Sequence, residues 1–302
     1  MLESLLNKYQ HNTRYDKTIT NSYIIPHSSL DSTIFFYRLD CLGGVPLVVF
    51  LYDVYGIEGI EQYKKIPINH CLHINNGIYP LTTTIIEEFC KHYIVALKNC
   101  TYIGCWNKGY IPELYLIEKY CYNKAVAKPY NSGHEGNTIW FNKNDWYEKL
   151  ANKKILIISS HAESMRYQWV SNNLFRSHGK DIINEDTGIQ LQFIKPPMSA
   201  CGLKPHDSWL DSLNWLQKEI KNTIDSFDLS LVSCGSYSSY ICNYLFTEYN
   251  SSVFYIGGAL QLYFSIIGNR WINQPYINKY WKKLDPHEIP ENSHTIENSC
   301  YF

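Results

Sequence analysis

Two strand-to-helix turns in the last third of the chain constrain its fold more than any other feature. Residues 229–233 (LSLVS) form a short apolar run that breaks at Gly235 and passes into SYSSYICNYLF, a helical stretch. Residues 253–256 (VFYI) repeat the arrangement, breaking at Gly257-Gly258 before ALQLYFSII. A buried strand, a glycine turn and an apolar helix, used twice in succession, predict a parallel α/β sheet. In such sheets ligands sit at the carboxyl ends of the strands, where helix N-termini present free N–H groups to anions. Neither turn matches GxGxxG or a phosphate-binding GxxxxGK[ST] loop, so the pattern does not specify dinucleotide or ATP binding, and tight turns of this kind also serve as plain structure in α/β cores.

The same grammar recurs upstream. KKILIISS, at 153–160, has a charged start and a continuous apolar run, as in a strand covered on both faces. It ends in Ser160-His161-Ala162-Glu163-Ser164, and a helix is predicted through Met165, Trp169 and Leu174. Residues 189–194 alternate as a strand, and Asp207-Ser208 cap a helix whose inner face is Trp209, Leu213, Leu216 and Ile220. Strands at 154–159, 189–194, 229–233 and 253–256 are thus expected to share one largely parallel sheet. In the first third, STIFFYRL at 32–39 reads as a strand, Pro46 opens either a helix or another strand, Asn75-Asn76-Gly77 is a turn, Thr82–Thr84 cap a helix with Ile85, Ile86, Phe89, Tyr93 and Leu97 on one stripe, and TYIGCW (101–106) is a short strand. The resulting fold class is α/β: a Rossmann-like, largely parallel sheet with flanking helices, plus an N-terminal α/β portion. Four segments follow: 1–122 as that portion, 123–150 as a connecting loop, 151–275 as the nucleotide-binding part and 276–302 as a tail or lid.

Composition narrows the function classes. With 302 residues, 45% hydrophobic, the chain can bury a sizeable core, and a net charge of -1 with scattered Lys and Arg argues against nucleic acid as a partner. No apolar run is long enough to span a bilayer, and the first residues lack the pattern of an export signal. Ten cysteines without CxxC or Cys/His spacing read as reduced core thiols, which places the protein in the cytoplasm.

Three carboxyl-end loops, 160–164, 234–237 and 257–261, converge if the sheet is parallel. They bring together Ser160, His161, Glu163, Ser164, Ser236, Tyr237 and Gln261, a set suited to a polar diphosphate or sugar. Glu163 also has the plainer role of complementing a helix dipole, and His161 that of a turn residue. Cys234 stands before Gly235, but S-C-G-S-Y is not the G-x-S-x-G elbow and no spaced His and acid accompany it, so a hydrolase triad is disfavoured.

The order of these segments resembles the D-type glycosyltransferase (GT-D) fold, and more closely its uncharacterised relatives among polysaccharide-biosynthesis proteins. The resemblance is carried by 38–44, INNGIYP (74–80), TYIGCW, KKILIISSHAESMRYQ (ending at 168), FDLSLVSCGSYSS (227–239) and FYIGGALQLYFSIIGNRW (254–271), the last two being the most specific. It implies transfer of a sugar from a UDP-sugar donor to a glycan acceptor, with a divalent metal (Mn or Mg) at the diphosphate. Carried over residue by residue, it implies Glu163 or Asp40 as the base on the acceptor hydroxyl. Substrate would be held by Arg38, Asn76, Gly77, Ser160, His161, Arg166, Gly235, Ser236, Tyr237, Gly257, Gly258 and Gln261, with the diphosphate on the N–H groups of 235–237 and 257–259. Two departures stand out. Val45-Pro46 replaces an acidic residue of the N-terminal element, and Tyr255-Ile256-Gly257-Gly258 replaces an Asp-x-Gly-His element. The alternative is a catalytically degenerate relative that binds a glycan or a protein without turnover.

Overall fold

A computed structural model of the chain describes residues 35–38, 44–104, 111–121, 125–127, 150–174, 187–223, 226–275 and 277–302. Seven strands build one sheet: β1 (Phe35–Arg38), β2 (Tyr102–Gly104), β3 (Ala125–Ala127), β4 (Lys154–Ser159), β5 (Gln190–Ile194), β6 (Leu229–Ser233) and β7 (Ser252–Tyr255). Their order is β3-β2-β1-β7-β6-β4-β5, and the pairings are parallel throughout. The four strands expected from the apolar runs are adjacent in the sheet, with Ile157 opposite both Phe193 and Leu231, and Leu231 opposite Phe254. β1 pairs with β7 through Phe35↔Val253, so the N-terminal strands extend the same sheet.

Period-two alternation sorts the strand residues into two cores. Leu156, Ile158, Val232, Val253 and Tyr255 join one apolar cluster; Ile155, Ile157, Leu229, Leu231 and Phe254 join the other. Helices α1 (Val45–Tyr55), α2 (Ile57–Tyr63), α3 (His70–Ile74), α4 (Thr83–Asn99), α5 (Ile111–Cys121), α7 (Trp209–Thr223) and α8 (Ser238–Tyr249) bury residues in the first cluster. The second is covered by α6 (Ala162–Val170), the single turn α9 (Leu260–Tyr263) and Leu284. Both faces are covered, which is why β4 reads as an unbroken apolar run.

Local chemistry sets the helix starts. Thr82 Oγ1 accepts from the Ile85 N–H at 3.3 Å, and Ser208 Oγ accepts from the Asp211 N–H at 3.2 Å. The segment opened by Pro46 is a helix, entered from Gly44 in the left-handed region (φ 73°). Among the described residues no helix is long and apolar enough to cross a membrane.

Two expectations need correction. The stretch 123–150 is not purely a connecting loop, because residues 125–127 form β3 beside β2; residues 128–149 lie outside the described ones. ALQLYFSII is not one helix. Residues 257–259 form a 3₁₀ turn, α9 lasts four residues, Ser265 turns left-handed (φ 56°), and Ile266–Ile267 become β8, paired with β9 at Lys282–Lys283. Leu260, Leu262, Tyr263, Phe264 and Ile266 are all buried, so the run is apolar on every side and carries no helical period that could reveal the break.

Trp209 ties α7 to the β6 loop. It is fully buried, stacks on Tyr237 with centroids 6.0 Å apart, and donates from Nε1 to Ser236 Oγ at 2.8 Å. Trp209→Ala is expected to lower the free energy of unfolding by about 3–5 kcal/mol. Trp209→Phe keeps most of the packing and is expected to lose roughly 1–2 kcal/mol through the missing hydrogen bond. Urea unfolding of both variants checks the ratio.

Candidate functional site

The chain runs outward from β1 to β3, enters again at β4, moves to the edge at β5 and returns across β4 to β6 and β7. The direction reverses between β4 and β6, and parallel pairing puts their carboxyl ends on one edge of the sheet. A cavity of about 130 Å³ lies there. The β4 loop contributes Ser159, Ser160 and His161, the β6 loop Ser233 and Gly235, and the β7 loop Tyr255, Gly257 and Gly258. Asn75 and Asn76 close one side, Met198 and Ala200 follow β5, and Ile296, Glu297, Tyr301 and Phe302 come from the last segment of the chain.

Of the residues expected at the site, Asn76, Ser160, His161, Gly235, Gly257 and Gly258 line this cavity together. Gly235 adopts φ +57°, and a Cβ there would meet only Asn76 O, at 3.6 Å, so the position is glycine for its backbone conformation. The Ser236 N–H donates to Asn76 O at 3.3 Å, which ties the 75–77 turn to the β6 loop. Ser159 Oγ accepts from the His161 N–H at 3.1 Å, and the imidazole meets the Phe302 ring edge-on at 5.8 Å. Burial, and then the Lys195 ammonium, push the His161 imidazole down to about 4, so it is neutral at pH 7. Cys234 is a buried thiol whose pKa burial raises to about 12, and it contacts Ser238 Oγ.

Other expected residues do different work. The Glu163 carboxylate is half out in solvent and pairs with Lys195 Nζ at 3.0 Å, off the cavity wall. The start of α6 holds a carboxylate of the chain itself: the N–H groups of Glu163 and Ser164 each donate to Glu288 at 3.0 Å. Arg166 donates to Phe193 O at 3.2 Å and lies over the Phe193 ring. Ser236 and Tyr237 are buried against Trp209, and Gly77 packs on Ser199, whose Oγ would stand 2.2 Å from a Cβ. Gln261 Nε2 donates to Tyr301 O at 3.2 Å. At Gly258 a Cβ would fall 2.2 Å from the Tyr301 ring, so the close approach that needs glycine there is made by this tyrosine. Arg38 ends β1, its side chain outside the described residues, as is all of Asp40.

The residues that sequence reasoning missed are mainly Glu288, Glu297, Tyr301 and Phe302. Their segment was expected as a tail or lid, and no local pattern signals a contact with strand ends so distant in sequence. Among the described residues no three His, Cys, Asp or Glu side chains stand close enough to share a cation. The eight described cysteines are free thiols.

No protein-family model, no curated protein and no solved structure matches this chain.

Two outcomes follow from this geometry. Gly258→Val forces the Tyr301 ring aside and is expected to destabilise the fold by about 1–3 kcal/mol. In a double-mutant cycle with Tyr301→Ala the double variant should lose less than the sum of the two single losses, and full additivity in urea unfolding would count against the contact. The second concerns pH. His161 in the unfolded chain takes a proton near pH 6.5, whereas the folded chain resists it down to about 4. Stability held above pH 6.5 is therefore lost as pH falls through this window, by on the order of 3 kcal/mol, and levels off below it. The loss should be absent from the pH–stability profile of His161→Asn, so that the wild-type-minus-variant difference recovers it.

Proposed function

We propose that the protein binds a nucleotide-sugar, UDP-linked as the resemblance implies, in the cleft at the carboxyl edge of its parallel sheet, and transfers the sugar to a glycan or other hydroxylated acceptor. The carrying observation is the convergence of the β4, β6 and β7 loops on one cavity at the point where the strand order reverses. We read the β4–β7 half as Rossmann-like on that same ground. Ser159, Ser160, Ser233, Asn75 and Asn76 offer hydroxyls and amides to a polyhydroxylated ligand, with Tyr255, Tyr301 and Phe302 as apolar walls. Eight free thiols support a cytoplasmic placement.

In the transfer, the acceptor oxygen forms its bond to the anomeric carbon as the bond to the diphosphate oxygen breaks. The acceptor proton passes to a base, and the nucleoside diphosphate leaves with the electron pair. Glu163, bound to Lys195 off the cavity wall, fits the role of base poorly, and we assign the role to Asp40. The same observation favours a second reading, a nucleotide-sugar or glycan binder without turnover.

Titration calorimetry with UDP-sugars, with and without manganese, tests the binding, and release of UDP tests turnover. The expected result is saturable binding, with Asp40→Asn reducing turnover by about 10²-fold or more and Glu163→Gln leaving it within a factor of a few. Binding without UDP release selects the binder. No binding at millimolar ligand rejects both forms of the nucleotide-sugar reading.

A further inference from the structure

Arg270 was assigned no part in the site, yet its side chain is committed to residues that stand in the cleft. Its guanidinium pairs with Glu297, reaches the Tyr301 hydroxyl at 3.5 Å and Cys300 Sγ at 3.4 Å, and lies over the Tyr301 ring at 4.9 Å. Glu297 and Tyr301 both line the cavity, so Arg270 is one side chain removed from the ligand space. A carboxylate and a planar ring on one guanidinium are the groups that a ring-bearing phosphate ester would present to it.

The segment that carries them is held at both ends and strained between. Glu288 anchors it by capping α6, and at the far end the Arg270 N–H donates to Cys300 O and the Asn269 N–H to Phe302 O, each at 3.0 Å. Between the anchors Glu297, Asn298 and Ser299 are consecutive left-handed residues, with φ of 43°, 54° and 61°. L-residues disfavour such a run, so the closed segment persists through its contacts and against its own backbone preference.

We propose that Arg270 is the phosphate-binding residue of the cleft and that residues 296–302 are an internal mimic of the ligand, with Glu297 in the place of phosphate oxygens and Tyr301 in the place of a ring. The assignment deepens the nucleotide-sugar reading and rests on it for the identity of the ring. Binding requires 296–302 to lift from Arg270, after which the guanidinium faces the cavity with its donors free. The left-handed run reverts to ordinary backbone as it lifts, which lowers the cost of opening. Apparent affinity is the intrinsic affinity multiplied by the open fraction, so weakening the mimic strengthens binding.

The test uses the full chain and two anions, inorganic pyrophosphate and UDP, titrated by calorimetry. Glu297→Gln is expected to bind both about tenfold more tightly than the wild type, as the open fraction rises. Hydrogen exchange at the Asn269 and Arg270 amides should speed up in that variant without ligand. Arg270→Gln should lose both anions in either background, and Arg270→Lys should recover part of the affinity. Should Glu297→Gln leave the exchange unchanged, the Glu297→Gln/Tyr301→Ala variant opens the segment further and must show the tighter binding. Pyrophosphate binding no tighter in an opened variant, or unaffected by Arg270→Gln, overturns the assignment, as does its failure to bind any variant. UDP-sugar binding that survives Arg270→Gln keeps the nucleotide-sugar reading and discards Arg270. Pyrophosphate binding through Arg270 with no gain from a UDP-sugar keeps Arg270 and discards that reading.

Discussion

Two-sided burial of β4, β6 and β7 is the constraint on which the rest of this molecule depends. A parallel strand cannot reach its neighbour through a hairpin, so each connection crosses the sheet and buries a helix or loop on one face. With alternate residues sent into separate clusters, Ile155 and Ile157 to one and Leu156 and Ile158 to the other, a register slip by a single residue would exchange both faces at once. Each fully buried aliphatic side chain stabilises the fold by about 1.5–3 kcal/mol, so the pairing of these strands is specified by packing as well as by the backbone ladder. The carboxyl ends are thereby fixed on one edge, and the cleft is a consequence of the topology before any side chain is considered.

What fills that edge is decided by the last segment of the chain. Gly258 admits the Tyr301 ring, and at Gly268 a Cβ would stand 2.7 Å from Cys300 O, so two glycines accommodate the same strap from different sides. Glu288 satisfies two N–H groups at the start of α6, which would otherwise need water or a ligand. The segment therefore serves two purposes through the same contacts. It completes the second core with Leu284 and the Trp271–Trp281 cluster, and it occupies the mouth of the cavity. The N–H groups at the start of α6 and the Arg270 guanidinium each meet a carboxylate of the protein itself.

The neutral state of His161 fits this arrangement. Buried at the end of the central strand with Lys195 nearby, it contributes ring nitrogens and no charge to the cavity at neutral pH.

Short-range patterns determined most strands of the large sheet and several of the helices. The apolar run of β4, the stripes of α4 and α7, the caps at Thr82 and Ser208 and the glycine breaks after β6 and β7 depend on neighbours within a few residues, and such signals are written locally. From them followed the parallel sheet and the convergence of Ser160, Gly235 and Gly257 at one edge. The break at Ser265 was not legible, because a run buried on all sides has no period. Nor were the partners of Glu163, Gly258 and Arg270, which are chosen by contacts between residues 27 to 125 positions apart. The sequence by itself determined which edge of the sheet holds the cleft. Only the tertiary structure decided which side chains stand in it, because a carboxylate or a ring is equally at home on solvent until folding closes a long loop and gives it one partner.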